Sequence, residues 1–162
     1  MIPEGGDKPD MQNPESRFIP VTVDSWKTCI ALELAPGQED FVPSNLFSIA
    51  EAQFYPDAMS NAIYTENGQL IGYALNGRDA STEKWKIFRI MIDKFCQRKG
   101  NGESALRAII GQISKKPDGN EILVSYQADN QVARRLYAKL GFVEQEKYVE
   151  GRVTALLRLK VA

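Results

Sequence analysis

The amino-acid sequence predicts one domain of the α+β class, built on a mixed β-sheet. Segments that alternate apolar and polar residues, as strands do, are interleaved with segments whose apolar residues recur at helical spacing. Their order is strand, two helices, three strands, helix, strand, helix and two strands. A chain of 162 residues, 43% of them hydrophobic and 25% charged, is long enough to bury the core of one such domain.

The first sixteen residues differ in composition from the rest of the chain. They are rich in residues that disfavour regular structure, namely Pro3, Gly5, Gly6, Pro9 and Pro14. Such a segment cannot bury enough apolar surface to offset the entropy lost on ordering. We therefore expect a disordered tail over 1–16 and a folded domain over 17–162.

The segment after the tail predicts a strand and two helices. FIPVTV alternates like a strand, and Asp24 can cap a helix through WKTCIALEL that Pro36 and Gly37 end. Pro43 or Ser44 can open the second helix, which Pro56 stops. Its apolar residues fall near one face: Leu46, Phe47, Ile49, Ala50 and Phe54.

Three strands are predicted next. NAIYTENGQLIGYALNG forms two of them around the pair Asn67-Gly68, the strongest short hairpin signal. A polar break over 79–83 separates this hairpin from the third strand, KWKIFRIMID.

The second half of the chain predicts two helices and three strands. Residues 103–116 have helical spacing and end at Pro117 and Gly119, and the strand EILVSYQ follows. Asp129 or Asn130 can cap a helix through LYAKL, which Gly141 ends. The segments FVEQEKYVE and VTALLRLK, divided by Gly151, complete the sheet as antiparallel strands.

Composition argues against several classes of function. The net charge of −1 and the scattered Lys and Arg residues make nucleic acid a poor partner. The absence of histidine argues against zinc hydrolases and Ser-His-Asp mechanisms, and we expect no metal. The two cysteines cannot form a disulfide framework. Without a targeting pattern or an apolar run of about 18 residues, we expect a cytoplasmic protein that does not enter a membrane.

The loop QRKGNG joins the end of a predicted strand to the start of a helix, and it allows three phosphate ligands. A Walker A loop would need a Lys and a hydroxyl residue after its last glycine, which Glu103 excludes. A dinucleotide fingerprint fits Gly100, Gly102 and Ala105, but its acidic residue should close the next strand, whereas Glu121 opens it. The third possibility is a pyrophosphate held by backbone amides at the helix N-terminus.

The third possibility matches a known family. The loop resembles the [QR]xxGx[GA] motif of the GNAT superfamily of acetyl-CoA dependent N-acetyltransferases, with the matching residues Gln97, Arg98, Lys99, Gly100, Asn101 and Gly102. NQVARRLYAKLGF resembles the second CoA element of the family. The resemblance runs from Phe18 to Lys160. It implies acetyl-CoA as cosubstrate, a mixed sheet that splays open at the CoA site, and helices on both faces of that sheet.

The resemblance also implies roles for single residues. Tyr137 matches the general acid of the family, although a packed core tyrosine is the alternative on an amphipathic helix. Asn130 would bond the pantetheine arm of CoA, cap the helix, or do both. The strand residues Ile90, Met91 and Ile92 would line the pantetheine arm through backbone groups. On the second CoA helix, Ala133 matches the motif. Arg134 and Arg135 could reach the CoA phosphates from this helix, and ordinary solvated arginines are the alternative.

The acceptor is expected to be a primary amine. EDFVPSNLFSIAEA, FRIMID and QRKGNG resemble the bacterial spermine/spermidine N-acetyltransferase branch, and Glu33, Asp40 and Glu51 could bind a polyamine. A solvated acidic face is the alternative for these carboxylates. Arg89 stands where the mammalian diamine acetyltransferases have an acidic residue, so the general base of those enzymes cannot be assigned to this chain. Other acceptors stay open, namely another small amine, an antibiotic or a protein amino group. A non-catalytic acyl-CoA-binding regulator is the alternative function. Members of the family often form homodimers.

Overall fold

The computed structural model describes residues 16–160, apart from the side chains of Lys147 and Tyr148. The predicted tail over 1–16 lies outside the described residues except for Ser16, which is the first residue of a strand. Within the described range, no helix is both long and apolar enough to cross a membrane.

The predicted order of strands and helices is confirmed over residues 16–160. The strands are β1 (Ser16–Pro20), β2 (Met59–Thr65), β3 (Leu70–Arg78), β4 (Trp85–Ile92), β5 (Glu121–Gln127), β6 (Val143–Val149) and β7 (Arg152–Arg158). The α-helices are α1 (Trp26–Ile30), α2 (Asn45–Glu51), α3 (Asn101–Ser114) and α4 (Gln131–Lys139). Short 3₁₀ helices lie at Gln38–Asp40, Ala52–Phe54 and Lys94–Cys96.

The strands form one sheet in the order β1-β2-β3-β4-β5-β7-β6. Neighbouring strands pair antiparallel except β4 and β5, which run parallel and are connected through α3. The turn between β2 and β3 is the predicted hairpin, with Gly68 at φ +85° and its amide donating to the Thr65 carbonyl over 2.9 Å. The sheet is therefore mixed, and its single parallel pair lies near the middle.

The parallel pair is short, and the sheet opens beyond it. The ladder joins Trp85–Ile87 of β4 to Ile122–Val124 of β5 and does not continue. On the other side of β4, Leu75 pairs with Arg89 and Asn76 with Ile87, so Phe88 is the extra residue of a β-bulge. Because a bulge bends its strand, β4 diverges from β5, as the predicted splay requires.

Helices cover both faces of the sheet. Ala74 of β3 packs in one core cluster with Leu106 and Ile109 of α3. Its neighbours Tyr73 and Leu75 point to the other face, where they pack with Ile49 of α2. The two clusters therefore separate the α3 and α4 side of the sheet from the α2 side.

The first helix is shorter than predicted. It ends at Ile30, whereas the sequence predicted a helix through WKTCIALEL, which reaches Leu34. The backbone of Glu33 is engaged elsewhere: its amide donates to the Asp93 carboxylate over 2.9 Å, and its carbonyl accepts from the Lys94 amide over 2.8 Å. Hydrogen bonds to the end of β4 thus replace the helical ones. β1 likewise ends at Pro20 rather than Val23, because the chain turns at Thr22 into α1.

Candidate active site

The glycine loop between β4 and α3 forms the first half of the site. Gly100 caps α3 with φ +78°, and the Ser104 amide donates to the Gly100 carbonyl over 3.0 Å as the first helical bond. The amides before Ser104 have no helical acceptor, and they sit at the positive end of the helix dipole. This end of α3 can therefore bind an anion such as a phosphate.

Gly102 keeps the space at this helix N-terminus open. A Cβ built on Gly102 would meet no atom within 4 Å, and its backbone has an ordinary helical φ. A side chain at this position would therefore not disturb the protein itself. It would extend into the open space at the N-terminus of α3.

Side chains of the loop hold its shape. Gln97 donates to the Ile92 carbonyl over 2.8 Å and exchanges amide hydrogen bonds of 2.7 and 3.0 Å with Gln38. The side chain of Asn101, which is buried, donates to the Cys96 carbonyl over 2.8 Å. These two predicted site residues thus order the loop, whereas Arg98 and Lys99 are exposed and supply positive charge beside it.

The second half of the site is α4. Asn130 caps this helix, since its Oδ1 accepts from the Ala133 amide over 3.1 Å. Ala133 is half-buried, and Arg135 is exposed. Arg134, in contrast, binds both carboxylate oxygens of Glu144 at 2.6 and 2.8 Å. Of the two adjacent arginines, Arg135 is thus the one that extends into solvent.

Tyr137 lies inward on α4 and is 9% exposed. Its ring stacks on Tyr126 at 5.4 Å between centroids and meets the edge of Phe142, also at 5.4 Å. Burial raises the pKa of the Tyr137 phenol to about 12, against a smaller opposing effect of the positive charge of Arg152. The phenol is therefore neutral near pH 7 and has a proton to donate.

The gap between β4 and β5 connects these two halves. Ile90, Met91 and Ile92 lie on β4 beyond the end of the ladder to β5, and their side chains pack in the cores of the two faces. Backbone groups are consequently what this part of β4 offers to a molecule in the gap. The carbonyls at its two ends are already occupied, that of Phe88 by the Arg89 guanidinium and that of Ile92 by Gln97.

The structure does not bring the three predicted acceptor carboxylates into contact. Glu33, with a side chain 62% exposed, pairs with Lys94 over 2.5 Å. Asp40 is exposed on the short 3₁₀ helix after α1. Glu51 is the one beside the bulge of β4, where it accepts from the Tyr55 hydroxyl and, over 3.1 Å, from Arg89.

Of the other residues at or near the bulge, Phe88 and Arg152 have no place in the sequence prediction of the site. The ring of Tyr55 stacks on that of Phe88 at 4.0 Å, with an angle of 2° between the planes. Arg89 and Tyr55 both contact Glu51, and the charge of Arg89 lowers the pKa of Arg152, the first residue of β7. For Arg89 the sequence signals were a charge inside the otherwise apolar run IFRIMI and the departure from the acidic residue of the mammalian diamine enzymes.

Known proteins are similar to this chain in sequence and in fold. The family model for the acetyltransferase (GNAT) domain matches residues 40–160. A spermine/spermidine N(1)-acetyltransferase of Bacillus subtilis (strain 168) is 27% identical over 128 residues, which cover 75% of this chain and 84% of that protein.

Two solved structures have the same fold at lower sequence identity. Spermidine N-acetyltransferase from Vibrio cholerae, in complex with CoA and spermine, has a TM-score of 0.70 at 14% identity, covering 89% of this chain and 95% of that one. The ribosomal-protein-S18-alanine N-acetyltransferase from Escherichia coli has a TM-score of 0.69 at 20% identity, covering 91% of this chain and 96% of that one. With the family model spanning most of the domain, the chain belongs to the GNAT family of acetyltransferases.

Proposed function

We propose that the protein transfers the acetyl group of acetyl-CoA to a primary amine of a small molecule, by direct attack in a ternary complex. The observation that carries this proposal is the gap between β4 and β5. The strand before the gap leads into the glycine loop of α3, and the strand after it leads into Tyr137 of α4. A thioester lying in the gap would have a phosphate site at one end and a proton donor at the other.

The residues present suit CoA. The free amides of α3, the open space at Gly102 and the exposed Arg98 and Lys99 would hold the pyrophosphate. The backbone of residues 90–92 would accompany the pantetheine arm, together with Asn130 and Ala133. Arg135 would add positive charge for the phosphates.

The protonated amine loses two protons in the reaction, one before its nitrogen attacks and one to solvent afterwards, and the departing sulfur gains one. A primary amine has a pKa near 10, so the acceptor must lose a proton before its nitrogen attacks the thioester carbonyl. A carbon–nitrogen bond forms, and the carbon–sulfur bond breaks with its electron pair going to sulfur. The Tyr137 phenol would give its proton to that thiolate and recover one from solvent.

Polyamines are the first acceptors to consider. The names of the Bacillus relatives support them, whereas Glu51, the carboxylate beside the bulge of β4, already pairs with Arg89. The relation to these proteins is distant, at 27% identity, and the E. coli structure with the same fold is named for a protein substrate. The acceptor therefore has to be found by assay.

A thiol-release assay with acetyl-CoA tests the proposal. We expect CoA release that depends on added amine, in a panel that includes spermine, spermidine, putrescine, lysine and aminoglycosides. Calorimetric binding of CoA without amine-dependent release would instead favour a non-catalytic acyl-CoA-binding protein. Turnover of other amines but not of polyamines would exclude polyamines as acceptors and leave the proposed acetyl transfer unaffected.

A further inference from the structure

Two arginines stand beside the gap between β4 and β5. Arg89 follows the bulge residue of β4, two positions after the last residue paired with β5. Arg152 is the first residue of β7, where it pairs with Gln127 at the end of β5. Both arginines thus lie at the end of the sheet where β4 and β5 have separated.

The side chains of both arginines lie on the α2 face of the sheet. Val153 and Ala155 of β7 pack in the core cluster of α3, so the alternating residues Arg152 and Thr154 point to the opposite face. Arg89 reaches α2 on that face through its contact with Glu51. A molecule approaching the gap from the α2 side would therefore meet both guanidinium groups.

The charges on this face do not balance. Glu51 pairs with Arg89, but no carboxylate among the described side chains lies within 4.0 Å of Arg152, whose guanidinium donates to the Ser125 carbonyl over 2.9 Å. The neighbouring carboxylate of Asp79 is already bonded to Ser81 and Thr82 and pairs with Lys86 at 3.7 Å. Around the bulge, two guanidinium groups thus face one carboxylate.

The surplus charge is partly buried and close to the reaction centre. Burial lowers the pKa of Arg152 below its usual range, and the positive charge of Arg89 lowers it further. The charge of Arg152 in turn acts on the phenol of Tyr137. The Nε atom of Arg89 is buried and has no acceptor among the described residues. A buried donor or charge without a partner is costly, and an anion bound here would supply that partner.

We propose that the acceptor amine also carries a carboxylate, which Arg152 binds with help from Arg89. This inference rests on the proposed acetyl transfer and narrows its acceptor to amino acids and similar amino carboxylates. A guanidinium presents paired donors that match the two oxygens of a carboxylate, which fixes the orientation of the amine toward the gap. A polyamine would bring more positive charge to a face that already has a surplus.

The test compares each amino carboxylate with its own amide. The thiol-release assay would use the standard amino acids, β-alanine and 4-aminobutyrate, their primary amides, and spermine and spermidine. Phosphoethanolamine and ethanolamine form one further pair, which tells a carboxylate site from a phosphate site. We expect the best substrates to be amino carboxylates, with a KM well below that of the matching amides.

Substitution at Arg152 shows whether this residue distinguishes amino carboxylates from their amides. Arg152→Met should raise the KM for the best amino carboxylate by about 10-fold to 100-fold, the range expected for a lost charge-assisted hydrogen bond. The KM for its amide should change little, and Arg152→Lys should restore part of the selectivity. Arg158→Met is the matched control, because Arg158 lies on the same strand with a side chain that is 74% exposed.

The outcomes separate this inference from the proposed function. Preference for polyamines, for amides or for phosphoethanolamine overturns the carboxylate site and leaves the acetyltransferase intact. Carboxylate selectivity that survives Arg152→Met also overturns the site. If no amine in the panel is acetylated, the proposed function fails and the inference fails with it.

Discussion

At the scale of single residues, Tyr137 matters most because burial determines its chemistry. A phenol in water titrates near pH 10, whereas the stacked and buried Tyr137 has its pKa raised to about 12. The phenol stays protonated through the physiological range and has a proton to give, while its raised pKa makes it a weaker acid toward the thiolate than an exposed tyrosine. The neighbouring Tyr126 differs, because its hydroxyl already donates to Glu144 over 2.9 Å.

Replacement of Tyr137 by Phe should lower kcat and leave CoA binding nearly unchanged. We expect a loss of about 100-fold to 10,000-fold, the usual contribution of a general acid. The measurements are kcat at saturating acetyl-CoA and the calorimetric Kd for CoA. Tyr126→Phe is the control, since it removes a phenol from the same aromatic stack. Equal losses in both variants would mean that the stack matters and the Tyr137 proton does not.

Alkaline pH should weaken the folded state through the buried tyrosines. Burial raises the pKa of Tyr73 and of Tyr137 to about 12, above the value near 10 expected in the unfolded chain. Because their folded pKa is raised, their contribution to stability is complete below pH 10 and is lost as pH rises from 10 to 12. Denaturant unfolding from pH 9 to 11.5 should therefore show a decline that is shallower in Tyr137→Phe. Parallel declines in the two proteins would contradict the raised pKa.

The residues that sequence analysis identified are those whose placement depends on neighbours in the sequence. Gly100 and Gly102 were predicted at a helix N-terminus, and Tyr137 on the inward face of a helix, because local spacing determines both placements. The partner of Gln97 is a residue 59 positions away, and that of Arg89 is 38 positions away. Pairs of this kind depend on the packing of the whole sheet, which no local pattern reports.

At the scale of elements, the N-terminus of α3 is the part that we propose binds the pyrophosphate of CoA. Its amides lack helical acceptors, Gly100 turns the chain in the left-handed region, and Gly102 leaves open space in front. The sequence predicted this strand, loop and helix because their signals are continuous along the chain. It did not predict the bulge of β4 or the early end of α1, since both arise from contacts between elements.

Gly102→Leu should weaken CoA binding by about 10-fold or more without destabilising the protein. Leucine favours a helix over glycine by roughly 1 kcal/mol, and a Cβ at this position meets nothing within 4 Å. Gly111→Leu is the matched control, because Gly111 lies in the same helix and also has open space around it. The free energy of unfolding and the Kd for CoA would be measured for both variants. Equal CoA affinity in the two variants would place the phosphates elsewhere.

At the scale of the whole molecule, the proposed function depends on the incomplete pairing of β4 with β5. The parallel ladder between β4 and β5 stops after Ile87 and Val124, and the strands then separate toward the glycine loop of α3 and the start of α4. One face of the gap leads to α3 and α4, and the other leads to α2 and the arginines. Such a sheet can admit a thioester from one side and an amine from the other, which direct transfer requires.

The measurement that tests this account most directly follows the acetyl group itself. The protein would be incubated with acetyl-CoA labelled with carbon-13 in the acetyl group and with the amine panel, and the amines and the protein would be analysed by mass spectrometry. We predict labelled N-acetyl amine with the unsubstituted protein, far less with Tyr137→Phe and Gly102→Leu, and no label on the protein. Label on Cys29 or Cys96, or bound CoA without any labelled amine, would contradict direct transfer.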